Sequence, residues 1–229
     1  MHQTSALYKE LLQLPHYKEH KLVVNGVDYA EGEYFSLDLS GAVIPGSTLQ
    51  IGSCPSRTIK ATIVDLGLTI PPMAKLEPMS RITDGVRVSE WIPKGVYYID
   101  TRDPDAPPGQ LSFEGYDDML KADAPYPGSS LSWPATDIDV VREIAKHMGV
   151  TVDPRTVALM TNRYPVPFPA QYTMREVLGY IAAMYAGCFV MSDLAQLQLI
   201  TLYSMAETTH YLVTESGKPI TIGGVRILV

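Results

Sequence analysis

The stretch that decides the fold is residues 95–123, GVYYIDTRDPDAPPGQLSFEGYDDMLKAD. Its first six residues are rich in β-branched and aromatic side chains, which predicts a strand. A turn sequence, RDPDAPPG, follows, and residues 111–116 then alternate apolar and polar side chains, which predicts a half-buried second strand. Asp117 and Asp118 suit the first turn of a helix and Lys121 its last turn. A hairpin followed by a helix predicts an α+β chain with more than one domain.

The composition is that of a folded protein with many short strands. The chain has 229 residues, enough for one large or two modest domains, and 46% of them are hydrophobic. Its 17 glycines and 18 prolines are scattered through turn sequences and do not form one linker. The net charge of −7 disfavours direct binding to nucleic-acid phosphates or to anionic membranes.

Residues 21–116 predict an antiparallel β-sandwich or barrel domain. A strand over residues 21–29 is interrupted at Asn25 and Gly26, a strong hairpin signal. Further strands are predicted at 34–39, 49–52, 57–66 and 82–90. Residues 1–20 predict an N-terminal arm with a short amphipathic helix over 3–14, capped by Thr4 or Ser5 and ended by Pro15.

Residues 117–202 predict a smaller domain of helices and a hairpin. Thr136 is expected to cap a helix that Gly149 ends, and Thr173 a second helix that runs to Gly187. Residues 188–193 and 196–203 predict a hairpin, whereas 150–160 and 162–171 are expected to be extended or loop. Residues 203–229 predict the start of a second, incomplete β domain, whose remainder is expected beyond residue 229.

The most specific catalytic pattern is His16-x-x-Glu19-His20, a spacing used by some zinc hydrolases when it lies on a helix. Pro15 and a predicted strand from Lys21 leave no room for that helix, so a charged connector is favoured. Ser216-Gly217-Lys218 lacks the upstream glycine of a phosphate-binding loop. No catalytic, cofactor-binding or metal-binding residue is therefore assigned.

Five aspartates cluster in sequence and are interpreted as turn-forming and helix-capping residues, with a calcium site as the alternative: Asp100, Asp103, Asp105, Asp117 and Asp118. Cys54 and Cys188 are expected to be reduced, buried thiols. Lysines and arginines are dispersed and form no patch typical of nucleic-acid recognition.

The proline-rich stretch 164–168 is interpreted as a rigid connector, with a polyproline-like ligand for a partner as the alternative. A stripe of helical spacing is predicted to be core: Met174, Tyr180, Met184 and Tyr185. The N-terminus has no signal-peptide pattern, and the longest apolar run, 180–191, is too short to span a bilayer. We therefore expect the protein to be made in a cytoplasm.

Three segments together resemble the baseplate hub and tail-tip proteins of tailed phages and contractile injection systems. The first begins VNGVDY and continues through YFSLDLSGAVIPG to LQIGSCPSRTIKATI. The second is WIPKGVYYIDTRDPDAPPGQLSFEGYDDMLKAD, and the third combines ATDIDVVREIAKHMGVTVD with YTMREVLGYIAAMYAGCFVMSDLAQLQLI. The resemblance covers about residues 21–202 and depends on the order and spacing of the segments.

This resemblance implies a structural protein of the virion tail, not an enzyme, assembled in the bacterial cytoplasm. It implies a homotrimer of tail-tube-like domains that joins the tail tube or a distal tail protein to a spike or fibre protein. Its channel would pass the tape-measure protein and the DNA, the latter without specific binding.

Two alternatives from other classes stay open at this point. One is a cell-wall-degrading hydrolase of the tail tip that uses the acidic cluster or His16, Glu19 and His20. The other is a receptor- or glycan-binding module with Trp91, Trp133 and the tyrosines as platforms.

Overall fold

The computed structural model describes residues 4–41, 50–201, 221–222 and 225–226. Among these, eight strands form one antiparallel sheet: β1 (Tyr17–Val24), β2 (Val27–Tyr29), β3 (Tyr34–Ser40), β4 (Thr58–Val64), β5 (Lys75–Thr83), β6 (Ile92–Pro93), β7 (Tyr97–Arg102) and β8 (Gln110–Tyr116). Their order is β2-β1-β5-β7-β8-β4-β3, with β6 beside β5. The sheet curls into a nearly closed barrel, and the fold is α+β as predicted.

The barrel is closed around side chains that alternate along its strands. Ile59, Ala61 and Ile63 of β4 point inward, and the register sets Ala61 opposite Phe113 of β8. Together with residues from five other strands they form a buried cluster that consists of Leu22, Val24, Tyr29, Ile59, Ala61, Ile63, Ala74, Leu76, Tyr97, Ile99 and Phe113. The alternation of apolar and polar residues in the sequence therefore matches the burial of alternate side chains in β4.

A second group of elements follows β8: a 3-10 helix (Asp118–Asp123), β9 (Ala135–Thr136), α2 (Asp137–Met148), β10 (Thr151–Val152), α3 (Pro154–Leu159), β11 (Pro165–Val166), α4 (Met174–Met184), β12 (Gly187–Met191) and β13 (Gln196–Thr201). β10, β13 and β12 form a three-stranded sheet, and β9 pairs with β11. Helices α2 and α4 pack with these strands around a second buried cluster, which includes Val141, Ile144, Leu178 and Phe189.

The ends of the two long helices lie where local signals place them. The Thr136 hydroxyl accepts a hydrogen bond from the Asp139 amide at 3.4 Å, and Gly149 ends α2 in the left-handed conformation at φ 75°. Thr173 and Glu176 form a complete capping box at the start of α4. Both helix starts therefore follow from the side chains at their caps.

The chain begins with α1 (Ala6–Leu11), whose cap is Ser5, and its last described elements are β14 (Thr221–Ile222) and β15 (Val225–Arg226), an antiparallel pair. Residues 202–220 lie outside the described residues, as does the first residue of the strand predicted at 49–52. None of the helices among the described residues has the length and apolarity needed to cross a membrane.

Two strand predictions are wrong because turn-forming side chains outweigh the apolar pattern. The strand predicted at 82–90 ends at Thr83, since the Asp84 carboxylate accepts the amides of Val86 and Arg87 and closes a turn. The described part of the strand predicted at 49–52 is also a turn, with Gly52 at φ 81°.

Three further boundaries differ from the sequence prediction. β1 begins at Tyr17, so the segment interpreted as a connector is part of the sheet. Pro154–Leu159 is a helix where loop was predicted, because Asp153 caps it and proline suits a first helical turn. α4 ends at Met184, and Gly187 opens β12. The division into domains at residues 20, 116 and 202 stays a prediction.

Candidate functional site

β3 (Tyr34–Ser40) is an exposed edge strand of the barrel. It pairs with β4 on one side, and no strand among the described residues pairs with its other side. Two large apolar side chains on it are exposed: Phe35 at 59% and Leu39 at 39% of their surface. A seven-residue edge with unpaired backbone groups and exposed apolar side chains is suited to pair with a strand of another chain.

A β-bulge determines how β3 presents its side chains. The register changes between Tyr34, opposite Ile63, and Ser36, opposite Thr62, which leaves Phe35 as the extra residue. After the bulge, Leu37 lies opposite the buried Ala61 on the core side of the sheet. The bulge therefore exposes Phe35 while Leu37 still packs against the barrel core.

The barrel and the helical elements are joined by a short segment, residues 50–57, which we call the strap. The Gly52 amide donates to the Gly187 carbonyl at 2.8 Å, and the Phe189 amide donates to the Ser53 carbonyl at 3.1 Å. The strap thus lies along β12 as an additional extended segment, and Cys54 is buried in the core cluster of the helical elements. The strap then leads directly into β4 of the barrel.

Two glycines let the strap approach α4. An ideal Cβ on Gly179 of α4 would lie 2.7 Å from the Gly52 carbonyl oxygen, and a Cβ on Gly52 would lie 2.8 Å from the Gly179 carbonyl oxygen. Real Cβ atoms essentially never come so close to another heavy atom. Both positions therefore require glycine as long as the strap keeps its place.

Arg175 at the start of α4 fixes the strap through its guanidinium group. That group donates to the Cys54 carbonyl, to the Ser56 hydroxyl at 3.0 Å and to the Met119 carbonyl at 2.9 Å, and it pairs with the Asp123 carboxylate. One side chain therefore joins the strap, the 3-10 helix and α4, a geometry that lysine with its single nitrogen cannot reproduce.

Arg57, at the end of the strap, forms the second polar link. Its Nη1 pairs with Asp193 at 2.7 Å, its Nη2 donates to the Lys94 carbonyl at 2.9 Å, and its guanidinium lies 5.7 Å from the ring centre of Tyr97. Its backbone amide donates to the Asp117 carboxylate at 3.0 Å. Arg57 thus connects the barrel core to the β12–β13 turn.

Asp117 is the buried carboxyl group of this junction. Burial raises its pKa to about 6, although the backbone amides of Arg57 and Met119 both donate to it and act in the opposite direction. With Asp100, Lys121 and four other residues it lines a cavity of about 200 Å³. Because its two oxygens accept main-chain hydrogen bonds, Asp117 serves as the cap of the 3-10 helix.

The structure does not bring the three residues of the zinc-like pattern together. Glu19 and His20 lie in β1, where alternate side chains point to opposite faces, and His16 directly precedes that strand. Glu19 is paired with Arg81 at 2.6 Å, and His20 lies opposite Ser80. The His16 Nδ1 atom is 2.8 Å from the Leu14 carbonyl. In the part of the chain that the structure describes, no three His, Cys, Asp or Glu residues form a group that could hold a metal ion.

Of the five clustered aspartates, Asp103 and Asp117 have the turn-forming and helix-capping roles predicted for them, whereas Asp100 lies within β7. The Asp103 carboxylate accepts the amide of Asp105 in the β7–β8 turn at 2.9 Å. Asp117 caps the 3-10 helix, and Asp118 pairs with Lys121 at 2.5 Å. Both cysteines are buried free thiols, and burial raises the pKa of Cys54 to about 12.

The two tryptophans are engaged in packing. The Trp91 ring interacts with the cationic groups of Lys21 and Arg81, which lie 5.1 and 4.3 Å from its centre. Trp133 packs against Phe168 with ring centres 5.1 Å apart and against Tyr126 at 6.2 Å.

The stripe predicted to be core is only partly so. Met174 is buried and Tyr185 packs against the core, but Tyr180 is 59% and Met184 46% exposed. These two residues lie on the outer side of α4, where periodicity alone cannot distinguish a buried stripe from an exposed one. The prediction for them is wrong.

The features described define an α+β protein with a nearly closed barrel, an exposed edge strand and an attached helical unit. Comparison with protein-family models gives no match, and no curated protein sequence matches significantly. Solved structures do resemble the chain, and the two described next are both tail proteins.

One is the 43 kDa tail protein of prophage MuSo2 from Shewanella oneidensis, with 14% identity and a TM-score of 0.50 over 79% of this chain and 54% of that one. The other is the tail protein from Neisseria meningitidis MC58, with 15% identity and a TM-score of 0.54 over 80% of this chain and 51% of that one. The chain therefore spans about half the length of each, and at this identity the likeness shows a shared fold.

Proposed function

We propose that this chain is a structural component of a phage or prophage tail, at the hub or tail tip. It joins the tail tube to a distal spike or fibre protein and lines the channel through which the tape-measure protein and DNA pass. The proposed role is structural, not catalytic. The fold shared with tail proteins supports it, because the likeness extends over both the barrel and the helical elements.

The observation that carries the proposal is the unpaired edge of β3. A barrel that remains open at a long apolar edge risks aggregation unless that edge is covered. Pairing this edge with a neighbouring copy would cover Phe35 and Leu39 and would build a ring of barrels. We propose a homotrimer, so that the subunits surround one channel.

The charge of the chain is compatible with that channel. A protein with a net charge of −7 repels the phosphate backbone, so DNA can pass without being held. The proposal therefore includes no DNA-binding site.

The oligomeric state of the chain tests the proposal. The chain has a mass of 25.2 kDa, and light scattering coupled to size exclusion should give a trimer of about three times that mass at high protein concentration. The double variant Phe35→Lys and Leu39→Lys should be monomeric, since lysine on an edge opposes strand pairing between chains.

A matched control is Tyr17→Lys, which places lysine at another exposed aromatic position at the start of β1. This variant should keep the mass of the unmodified chain. A strictly monomeric unmodified chain, or a trimer that persists in the β3 double variant, would contradict the proposed assembly.

A further inference from the structure

An apolar groove runs between α4 and the proline-rich segment before it. It has a volume of about 270 Å³, and its lining includes Pro165, Pro167, Phe168, Tyr172, Tyr180 and Met184. The last four of these side chains are each more than 40% exposed. A contiguous exposed apolar surface of this kind marks an interaction site in a soluble protein.

The groove is preformed by aromatic packing. Tyr172 and Tyr180 meet edge to face with ring centres 5.4 Å apart, across the opening between the segment and α4. Phe168 packs edge to face against Trp133 and Tyr126, with ring centres 5.1 and 6.2 Å from its own. Because these rings already contact one another, little side-chain freedom would be lost when a ligand enters.

The chemistry of the lining selects an uncharged occupant for the groove itself. No charged side chain lines it among the residues that the structure describes, although 19% of the chain is charged. Pro165, Pro167 and Pro169 have no amide hydrogen, so this edge cannot form the regular ladder of an added strand. An occupant must therefore be held by side-chain packing.

Immediately beside the groove the surface becomes cationic. Thr136 and Pro165 are paired in the β9–β11 ribbon, and a second cleft of about 370 Å³ lies at the Thr136 side. Three charged side chains line that cleft: Arg142, Arg163 and Asp139. Arg142 pairs with Asp139 at 3.2 Å, whereas no described residue forms a hydrogen bond or an ion pair with the Arg163 side chain. The pairing of Arg142 with Asp139 leaves the cleft with one positive charge, that of Arg163, which is suited to pair with a carboxylate.

We propose that the groove and the adjoining cleft together bind a peptide segment of another protein that has apolar side chains followed by an acidic residue. The apolar side chains lie against Tyr172, Tyr180 and Met184, and the acidic residue pairs with Arg163. The site is separate from the β3 edge, so the proposal does not depend on the oligomeric state.

A random dodecapeptide library tests the proposal without a known partner. The biotinylated full chain and its Tyr180→Ser/Met184→Ser variant are used as bait in parallel selections by mRNA display. Peptides enriched only on the unmodified chain should combine an apolar run with Asp or Glu. The strongest is then synthesised with a fluorescent label, and its binding is measured by polarisation.

We expect the groove variant to bind that peptide at least about tenfold more weakly, and Arg163→Ala about threefold to tenfold more weakly. Replacing the acidic residue of the peptide by lysine should weaken binding to the unmodified chain and leave binding to Arg163→Ala unchanged. Tyr17→Ser and Lys18→Ala, at exposed positions of β1, are controls that should bind normally. Circular dichroism and melting temperature verify that each variant is folded.

Three results would overturn the proposal. The first is a selection that gives no peptide dependent on the groove. The second is a set of enriched peptides that are basic or uncharged, or that bind Arg163→Ala as well as the unmodified chain. The third is concentration-dependent self-association of the chain that the groove variant abolishes, since a second copy would then be the occupant.

Discussion

Replacing Gly179 with alanine should destabilise the protein, although alanine is the better helix former. Helix propensity alone would contribute about 1 kcal/mol of stability. The new Cβ, however, would lie 2.7 Å from the Gly52 carbonyl oxygen. That oxygen belongs to backbone held on both sides by hydrogen bonds to β12, so it has little room to move.

The magnitude follows from these opposing effects. Overpacking costs about 1–3 kcal/mol, and the two strap hydrogen bonds that a displaced Gly52 would weaken are each worth about 1 kcal/mol. We therefore expect a net loss of about 1–3 kcal/mol in the free energy of unfolding. For a chain of this length that corresponds to a melting temperature about 3–10 °C lower.

Thermal and urea denaturation measure the loss, and hydrogen exchange locates it. The amides of Gly52 and Phe189, which donate between the strap and β12, should exchange faster in Gly179→Ala. Gly128→Ala is the matched control, because no atom lies within 4 Å of the position that its new Cβ would take, and it should change stability by less than about 1 kcal/mol. A rise in melting temperature for Gly179→Ala would refute the reasoning, since the gain in helix propensity would then exceed the cost of the steric clash.

Three further predictions concern the polar junction and the helix caps. Because burial raises the pKa of Asp117 to about 6, its neutral form stabilises the fold at low pH. Wild type should therefore lose about 2 kcal/mol of stability relative to Asp117→Asn as pH rises from about 4 to 6, and parallel urea titrations that show no such loss would contradict this. Arg175→Lys should lower the free energy of unfolding by about 2–4 kcal/mol, as measured by urea denaturation. The control Arg142→Lys, in an exposed ion pair, should lower it by less than about 0.5 kcal/mol. Equal losses in the two variants would contradict a stabilising role of Arg175 at the junction. Thr173→Ala should lower the free energy of unfolding by about 1 kcal/mol, whereas Thr173→Ser, which keeps a hydroxyl at the cap, should lower it by much less. Equal stability of Thr173→Ala and the unmodified chain would contradict a stabilising capping box.

Local signals made much of the fold predictable from the sequence. The hairpin at Asn25 and Gly26 and the helix starts at Thr136 and Thr173 each depend on a few adjacent residues. The quoted stretch 95–123 folds as expected into two paired strands followed by a helical turn. Where the chemistry of a turn or cap is complete within four residues, the sequence alone was enough to predict its structure.

The junction could not be predicted, because its partners are far apart in the chain. Arg175 contacts the carbonyl of Cys54, 121 residues away, and Arg57 pairs with Asp193, 136 residues away. A glycine in the middle of α4 signals a close approach, but the sequence does not say that Gly52 makes it. Such contacts depend on how the two buried clusters are placed together.

The candidate docking groove was missed for a different reason. Helical spacing predicts that Tyr180 and Met184 share a face, and this is correct. Whether that face is buried depends on the segment 164–172. This proline-rich segment lies beside α4 and does not cover the outer side of the helix. Apolar periodicity therefore predicts which residues share a face of the helix, but not whether that face is buried.

The strap also limits how the protein can be recombined. A chimera that exchanges only residues 117–201 for those of a relative would leave residues 50–57 of the host against a foreign β12 and α4. The Cys54 thiol of the host would then enter a core built of foreign side chains. The Cys54 carbonyl and the Ser56 hydroxyl would lose the Arg175 guanidinium that donates to them, unless the incoming unit also has arginine at that position. The helical unit is therefore not a self-contained cassette, and an exchange that preserves the fold has to carry both stretches together.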